Sequence, residues 1–353
     1  GRPRSGRTAE GPVMIRARFA RLSETFLDPL SPCPPGPPPS VEECLASGRL
    51  LLERAGVESA RLDAGCLLAH VLACPRWLVV LEQRRRLTRE QFGRFLRLLQ
   101  RREQREPLAY LLGTREFWSL PLAVSSGVLI PRPETETLVE AALAACAEVS
   151  PPASGRQVIL DLCTGTGAIA IVLARELPEA RVLATDVSRR ALRIAHSNAE
   201  AHGVADRVTF LRGNLWRALD GVMPGLQPDL IVSNPPYIPS SAIETLMPEV
   251  RWEPRRALDG GADGLSFHRE IIRGAPWRLR PGGFLLLEIG ADQATAVRRL
   301  LEAGGSFEEC RVIQDLAGRD RVIAARRAAT TSIDNEKLTT DPPLADQPIN
   351  SGR

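Results

Sequence analysis

The stretch VILDLCTGTGAIAIVLARE, residues 158–176, decides the architecture. Four apolar residues around one acid read as a strand buried on both faces, and an apolar run at helix spacing follows a glycine-bearing turn. Gly165 and Gly167 let the backbone pass close to a ligand, and the helix behind them opens with unpaired N–H groups. Outward from this unit the pattern repeats. Strands are expected at 157–161, 181–186, 208–212, 230–234 and 284–289, with helices at 168–177, 189–202, 268–279 and 293–303. Short apolar runs joined by helical crossovers mean a parallel α/β sheet covered on both faces. Two further β-like runs, 310–313 and 321–324, predict a closing C-terminal antiparallel hairpin.

Upstream the period changes. From Val41 to about Gly113 the apolar residues fall at helix spacing, among them Leu45, Leu51, Leu52, Leu62, Cys66, Leu67 and Val71. Ser40 with Glu43 reads as a capping box. A helix opening at Thr88 has Phe92, Phe95, Leu96 and Leu99 on one side, and Arg94, Arg97, Arg101 and Arg102 on the other. That basic side is either a solvated face or a docking face for an acidic partner. This predicts a small all-helical domain over 41–113 with four or five helices. Residues 114–130 alternate with period two through Phe117, Leu120, Leu122 and Val124 and predict a β-hairpin linker. The α/β domain then covers 131–327. Residues 1–40, arginine-rich and ending in SPCPPGPPPS, and the polar tail 328–353 are expected to be disordered. The acid-poor run at 14–22 also has the character of an organellar transit peptide.

Composition bounds the rest. With 353 residues, 44% hydrophobic and 25% charged, the chain has the globular balance and length for two domains. No uncharged window reaches the eighteen residues of a membrane helix. Nearly all 46 basic residues are arginine, although the net charge is only +4. A nucleic-acid surface would need those arginines gathered on one face. Seven cysteines without a C-x-x-C pair and only four histidines argue against a metal site and a disulfide framework, and for a reducing compartment.

Two segments carry chemistry. Asp161 to Gly167 closes a strand and opens a helix, and Asp186 ends the next strand, where a carboxylate can accept both hydroxyls of a ribose. This pattern calls for an adenosine-containing ligand, with NAD and S-adenosylmethionine both open. The second segment is Asn234-Pro235-Pro236-Tyr237, after the apolar strand LIVS. An amide –NH2 is a poor nucleophile because its lone pair is delocalised. The Asn234 side-chain oxygen and the Pro235 carbonyl are two acceptors that could orient its two hydrogens, on a turn stiffened by proline, with Tyr237 as an aromatic wall.

DLCTGTGAIA, Asp186 and NPPY together resemble class I S-adenosylmethionine methyltransferases that modify planar –NH2 groups. GTREFW at 113–118, IPRPETE at 130–136 and ALDGG at 257–261 resemble, more narrowly, the HemK/PrmC family of release factor glutamine methyltransferases, over residues 41–327. The resemblance implies a Rossmann-like class I methyltransferase sheet. It implies methyl transfer from S-adenosylmethionine to the glutamine amide of the GGQ motif in peptide chain release factors. Carried onto this chain, Cys163, Thr164, Gly165, Thr166, Gly167, Asp186, Asn214, Leu215 and Asn234 would hold the cofactor. Asn234, Pro235, Pro236, Tyr237 and Phe117 would hold the glutamine, with Asn234, Pro235 and Tyr237 as the catalytic set. Cys163 replaces the glycine common at the start of the loop, and Asn214 stands where the family often has an acid. The expectation is a cytoplasmic or mitochondrial-matrix monomer whose partner is a release factor, needing neither metal, membrane nor nucleic acid. The rivals are a nucleic-acid exocyclic-amine methyltransferase, an NAD(P)-dependent oxidoreductase, which NPPY does not explain, and a non-catalytic adaptor.

Overall fold

A computed structural model describes residues 37–149, 155–221, 225 and 227–329. The expected transit-like run at 14–22 and nearly all of both expected disordered termini lie outside the described residues. The end of the first segment is ordered, however. Pro38 and Pro39 carbonyls accept from the Arg86 guanidinium and the Leu87 N–H, so the chain is held two residues ahead of its first helix.

Five helices follow: α1 (Val41–Arg54), α2 (Ala60–Leu72), α3 (Arg76–Leu81), α4 (Arg89–Glu103) and α5 (Leu108–Leu112). The capping box forms as read, with Glu43 N–H donating to Ser40 Oγ and Ser40 N–H to the Glu43 carboxylate, and Thr88 with Gln91 repeats it at α4. Leu52, Leu67, Leu68, Phe92, Phe95 and Leu99 make the core between these helices. Two expectations fail here. Leu62 is 44% exposed, because α2 is apolar on nearly every side and its buried face runs through Ala60, Ala64, Leu67 and Leu68. Arg102, placed on the solvated side of α4, is 4% exposed. Its Nε donates to Asp63 at 2.7 Å and its second nitrogen to Glu249 at 2.8 Å.

Glu249 lies in the long segment after the NPPY turn, so this ion pair joins the helices to the sheet. Arg105 adds a bidentate grip on the same carboxylate at 2.7 and 2.8 Å. These two guanidinium groups hold the Glu249 carboxyl down at about 2, against burial, which pushes it up. Glu249→Gln keeps the shape and removes the charge. It is expected to cost about 2 kcal/mol in urea denaturation, because the buried Arg102 keeps Asp63 as a charged partner but loses the second carboxylate.

The hairpin β1 (Thr114–Phe117) and β2 (Leu120–Ala123) pairs Phe117 with Leu120 across a turn whose centre, Trp118 and Ser119, is left-handed. After it comes α6 (Glu136–Glu148), a helix the sequence reading did not place. Its signal was present, since Leu138, Val139, Ala142 and Ala145 fall at helix spacing and are buried against the sheet.

The main sheet contains β3 (Val158–Leu162), β4 (Arg181–Asp186), β5 (Val208–Arg212), β6 (Leu230–Ser233), β7 (Phe284–Glu288), β8 (Phe307–Gln314) and β9 (Asp320–Arg327). Helices α7 (Ala168–Glu176), α8 (Arg189–Ala201), α9 (Ser266–Arg278) and α10 (Ala294–Gly304) connect and cover them. The order is β5-β4-β3-β6-β7-β9-β8, with the first five strands parallel and β9 antiparallel to both its neighbours. The C-terminal hairpin therefore forms as expected, with longer strands and with β9 inserted against β7. The order reverses between β3 and β6. In such sheets the crevice beyond the carboxyl ends of those two strands is where ligands bind. Among the described residues no helix is long and apolar enough to cross a membrane.

Candidate active site

The reversal point brings the two chemical segments together. The turn at 163–167 leaves β3 and the NPPY turn leaves β6, its in-register neighbour, where Leu162 pairs with Ser233. Ser233 Oγ donates to the Leu162 carbonyl at 2.7 Å and ties the two strand ends. Asp186 ends β4 on the other side of β3 and Glu288 ends β7 on the other side of β6. Four parallel strands thus deliver Asp161, Asp186, Asn234 and Glu288 to one edge.

Each carboxylate has a distinct environment. Asp186 accepts from Gly165 N–H at 3.0 Å and Ser188 N–H at 2.8 Å, one bond to each oxygen. Burial nonetheless pushes its carboxyl up. Asp161 is fully buried, accepts from Thr164 Oγ at 2.6 Å, and keeps its Oδ1 without a partner among the described residues. Desolvation drives its carboxyl up to about 7.

The turn itself shows why glycine is common at its start and does not account for the cysteine. Cys163 has φ of 62°, a conformation that favours glycine. Cys163→Val would place a β-branched side chain at that φ, and it is expected to lower stability by about 1–2 kcal/mol in thermal or urea unfolding. Gly165 also has positive φ, and nothing lies within 4 Å of where a Cβ would stand. The floor of the crevice at this point is open. Thr164, Thr166 and Gly167 are buried behind it, and Gly167 packs its Cα against Ala195 and Ile171.

Asn214 and Leu215 sit beside Asp186, because Gly213 N–H donates to the Asp186 carbonyl at 3.1 Å. Asn214 is exposed, whereas Leu215 is buried and packs in the core beneath the sheet. Phe117 departs from expectation. It is 1% exposed and packs with Leu122 and Leu138, so its ring is a core group behind the hairpin and not an open pocket wall.

Asn234 and Tyr237 are half-buried and Pro235 and Pro236 buried. Asn234 Nδ2 donates to Thr135 Oγ at 3.1 Å. Tyr237 OH donates to Glu288 Oε1 at 3.3 Å, and its carbonyl accepts from Gln293. The IPRPETE segment packs beside this turn through Ile130, Arg132, Thr135 and Glu136. Arg132 pairs with the buried Glu253, which also accepts from Ile130 N–H at 2.9 Å. Thr135 meets Asn234, and Glu136 accepts from Trp118 N–H at 2.8 Å. The segment is a brace around the NPPY turn. Sequence reasoning missed Thr135, Glu253 and Glu288, which stand 99, 19 and 54 positions from Asn234 and share no local pattern with it.

A parallel sheet with this reversal, an antiparallel last pair, a glycine turn before an acid at the next strand end, and an NPPY turn at the same edge define a class I S-adenosylmethionine-dependent methyltransferase. Family models agree: residues 43–113 match the PrmC N-terminal domain and residues 141–250 the methyltransferase small domain. The release factor glutamine methyltransferase of Moorella thermoacetica is 46% identical over 82% of this chain and 99% of its own length. Those of Geobacter sulfurreducens and Cereibacter sphaeroides are 42% and 47% identical over 81% and 79% of this chain, covering 96% and 95% of theirs. The chain belongs to the release factor glutamine methyltransferase family.

Proposed function

We propose that this protein transfers the methyl group of S-adenosylmethionine to the side-chain amide nitrogen of the glutamine in the GGQ motif of peptide chain release factors. The observation that carries this reading is the meeting of the NPPY turn with the 163–167 turn on adjacent strand ends.

The residues present fit the cofactor. The open space at Gly165 admits a ligand against the backbone, Asp161 keeps a buried carboxylate oxygen without a partner, and Asp186 stands at the end of β4. Asp186 would accept the ribose hydroxyls with lone pairs its two backbone N–H bonds leave free. Cys163, Thr164, Gly165, Thr166 and Gly167 would line the methionine and ribose parts, and Asn214 the adenine side, with Leu215 as buried support. When bound, the cofactor supplies an electrophilic methyl group on a positively charged sulfur.

The protein's own contribution is positioning. Asn234 Oδ1 and the Pro235 carbonyl would accept the two amide hydrogens of the target glutamine and favour pyramidal nitrogen, while Tyr237 and Pro236 wall its plane. The methylated nitrogen then loses a proton to water, so a strong base is unnecessary.

A glutamine side chain offers little surface, so selection among glutamines needs a second contact area, and the helices over 41–113 supply one. They carry a cleft of about 770 Å³ lined by Leu45, Arg49, Arg61, Leu62, Val79 and Val80, with Trp77 and Leu81 63% and 73% exposed beside it. Exposed apolar groups gathered beside a cleft fit a protein partner better than the arginine face of α4 does. On that face Arg101 is already engaged with Glu106 and Arg102 is buried. The six cysteines among the described residues are free, which fits a reducing compartment such as the cytoplasm.

The test is to incubate the protein with labelled cofactor and either a release factor, duplex DNA or RNA, and to locate the methyl group by mass spectrometry. Methylation of the GGQ glutamine is the expected result. Label on a nucleobase would transfer the reading to the nucleic-acid rival.

A further inference from the structure

Pro235 and Pro236 make the NPPY turn stiff, but they cannot tie it down. Neither has an N–H to donate, their φ angles are confined to a narrow range, and a residue that precedes a proline is held extended. The Pro235 carbonyl therefore moves with the turn as one rigid piece, and its aim is set by whatever holds the two ends. One end is Ser233, tied to the Leu162 carbonyl of β3. We propose that Gln293, the residue before α10, is the positioning residue that holds the other end through the Tyr237 carbonyl. It thereby aims the Asn234 and Pro235 acceptors at the target amide. This inference rests on the methyltransferase reading above.

The donor and acceptor inventory of Gln293 fits that task. The side chain is buried, at 7% exposure, and both ends of its amide are used. Its Oε1 accepts from Gly290 N–H at 2.9 Å, in the turn that leaves β7. Its Nε2 donates to the Tyr237 carbonyl at 2.9 Å and meets the Gly264 carbonyl at 3.4 Å. A backbone donor on one side and two backbone acceptors on the other settle which way the amide faces. Glutamate and methionine have the same reach, but glutamate lacks the donor and methionine lacks both groups. Gln293 thus joins the exit of β7, the NPPY turn and the loop at Gly264.

The ALDGG segment at 257–261 completes the clamp. Ile238 N–H donates to the Leu258 carbonyl at 3.0 Å, and the Ile238 carbonyl accepts from Gly260 N–H at 2.8 Å. This pairs the residue after NPPY with Asp259 in a short parallel bridge. Two glycines make the approach possible. A Cβ on Gly260 would stand 2.8 Å from the Tyr237 Cα, and one on Gly264 would stand 2.3 Å from the Tyr237 carbonyl oxygen and 2.7 Å from Gln293 Nε2. The Tyr237 hydroxyl meanwhile reaches Glu288 Oε1 at 3.3 Å. The carbonyl, the Cα and the hydroxyl of one residue each meet a different element, and that residue closes the turn whose acceptors face the substrate.

The test uses variants of the full chain. Gln293→Met keeps the length of the side chain and removes its hydrogen bonds, and Gln293→Glu keeps the bond to Gly290 but sets a carboxylate against two carbonyls. Each is expected to lower kcat on a release factor about 10- to 100-fold, because a misplacement of about 1 Å at a reacting centre costs that much, and Glu should be the worse of the two. KM and the calorimetric affinity for S-adenosylmethionine should stay within about threefold, which also shows that each variant folds. Gly264→Ala wedges a methyl group into the same bond from the other side and should lower kcat alike. Combined with Gln293→Met it should be little worse than the poorer single variant, since both break one contact. A second readout needs no substrate. The chain has two tyrosines, and Tyr110 precedes Leu111, so a 13C label on tyrosine carbonyls with 15N on isoleucine leaves one coupled pair, Tyr237–Ile238. Its carbonyl resonance should move in both Gln293 variants. Wild-type kcat in Gln293→Met, an unmoved Tyr237 carbonyl resonance, or a loss confined to cofactor affinity and stability would each overturn the clamp. If the wild-type protein methylates no release factor, the functional reading fails instead, and the resonance still decides whether Gln293 holds the turn.

Discussion

Asn234→Ala is expected to lower kcat by about 10²–10³ while leaving the affinity for S-adenosylmethionine within a few-fold. Removing one preorganised polar partner from a reacting centre typically costs that much. The structure sharpens the expectation. The half-buried Asn234 hangs from Thr135 by its Nδ2, so truncation takes away the acceptor and one side-chain hydrogen bond to Thr135. Pro235 and Pro236 keep the backbone of the turn, and Ser233 keeps the strand end tied to β3. The fold should therefore survive, and the loss should sit in the chemical step. Steady-state kinetics on a release factor with calorimetric cofactor binding separates the two, and near-wild-type turnover would remove NPPY from the reaction. Asn234→Asp keeps an acceptor but adds a charge, and partial activity at most is expected.

Asp186→Ala should do the reverse and act on binding. In the proposed site two charge-assisted hydrogen bonds to the ribose would be at stake, together about 2–4 kcal/mol, or roughly 30- to 1000-fold in Kd. The upper part of that range is expected, because Asp186 has a second task. Its two oxygens hold Gly165 and Ser188 N–H, so the cofactor loop loses its anchor along with its ribose partner. Asp186→Asn can replace only part of this set and should fall between. Calorimetry with S-adenosylmethionine measures both, and an unchanged affinity would move the cofactor site elsewhere.

The parts legible from the chain alone were those written in contiguous residues. Short β-rich runs marked the strands 181–186 and 208–212 to the residue, through Val182, Leu183 and Ala184 in the first and Val208, Phe210 and Leu211 in the second. The capping box at Ser40 and the two site segments were readable for the same reason, since each is a local pattern of a few residues. Placing those two segments at one edge followed from the parallel topology, which sends every carboxyl end the same way.

Everything that depends on distant side chains meeting was invisible. Thr135 gains its role from Asn234, Arg102 is buried because Glu249 from the long loop reaches it, and Phe117 is drawn into the core by the packing of α6. The positive φ of Cys163 is likewise a property of the folded turn and not of cysteine. Local pattern is set by the periodicity of burial within one element, and a linear chain records it. Pairing across 99 or 147 positions is set by where the elements pack, and only the assembled core brings those atoms within hydrogen-bond range.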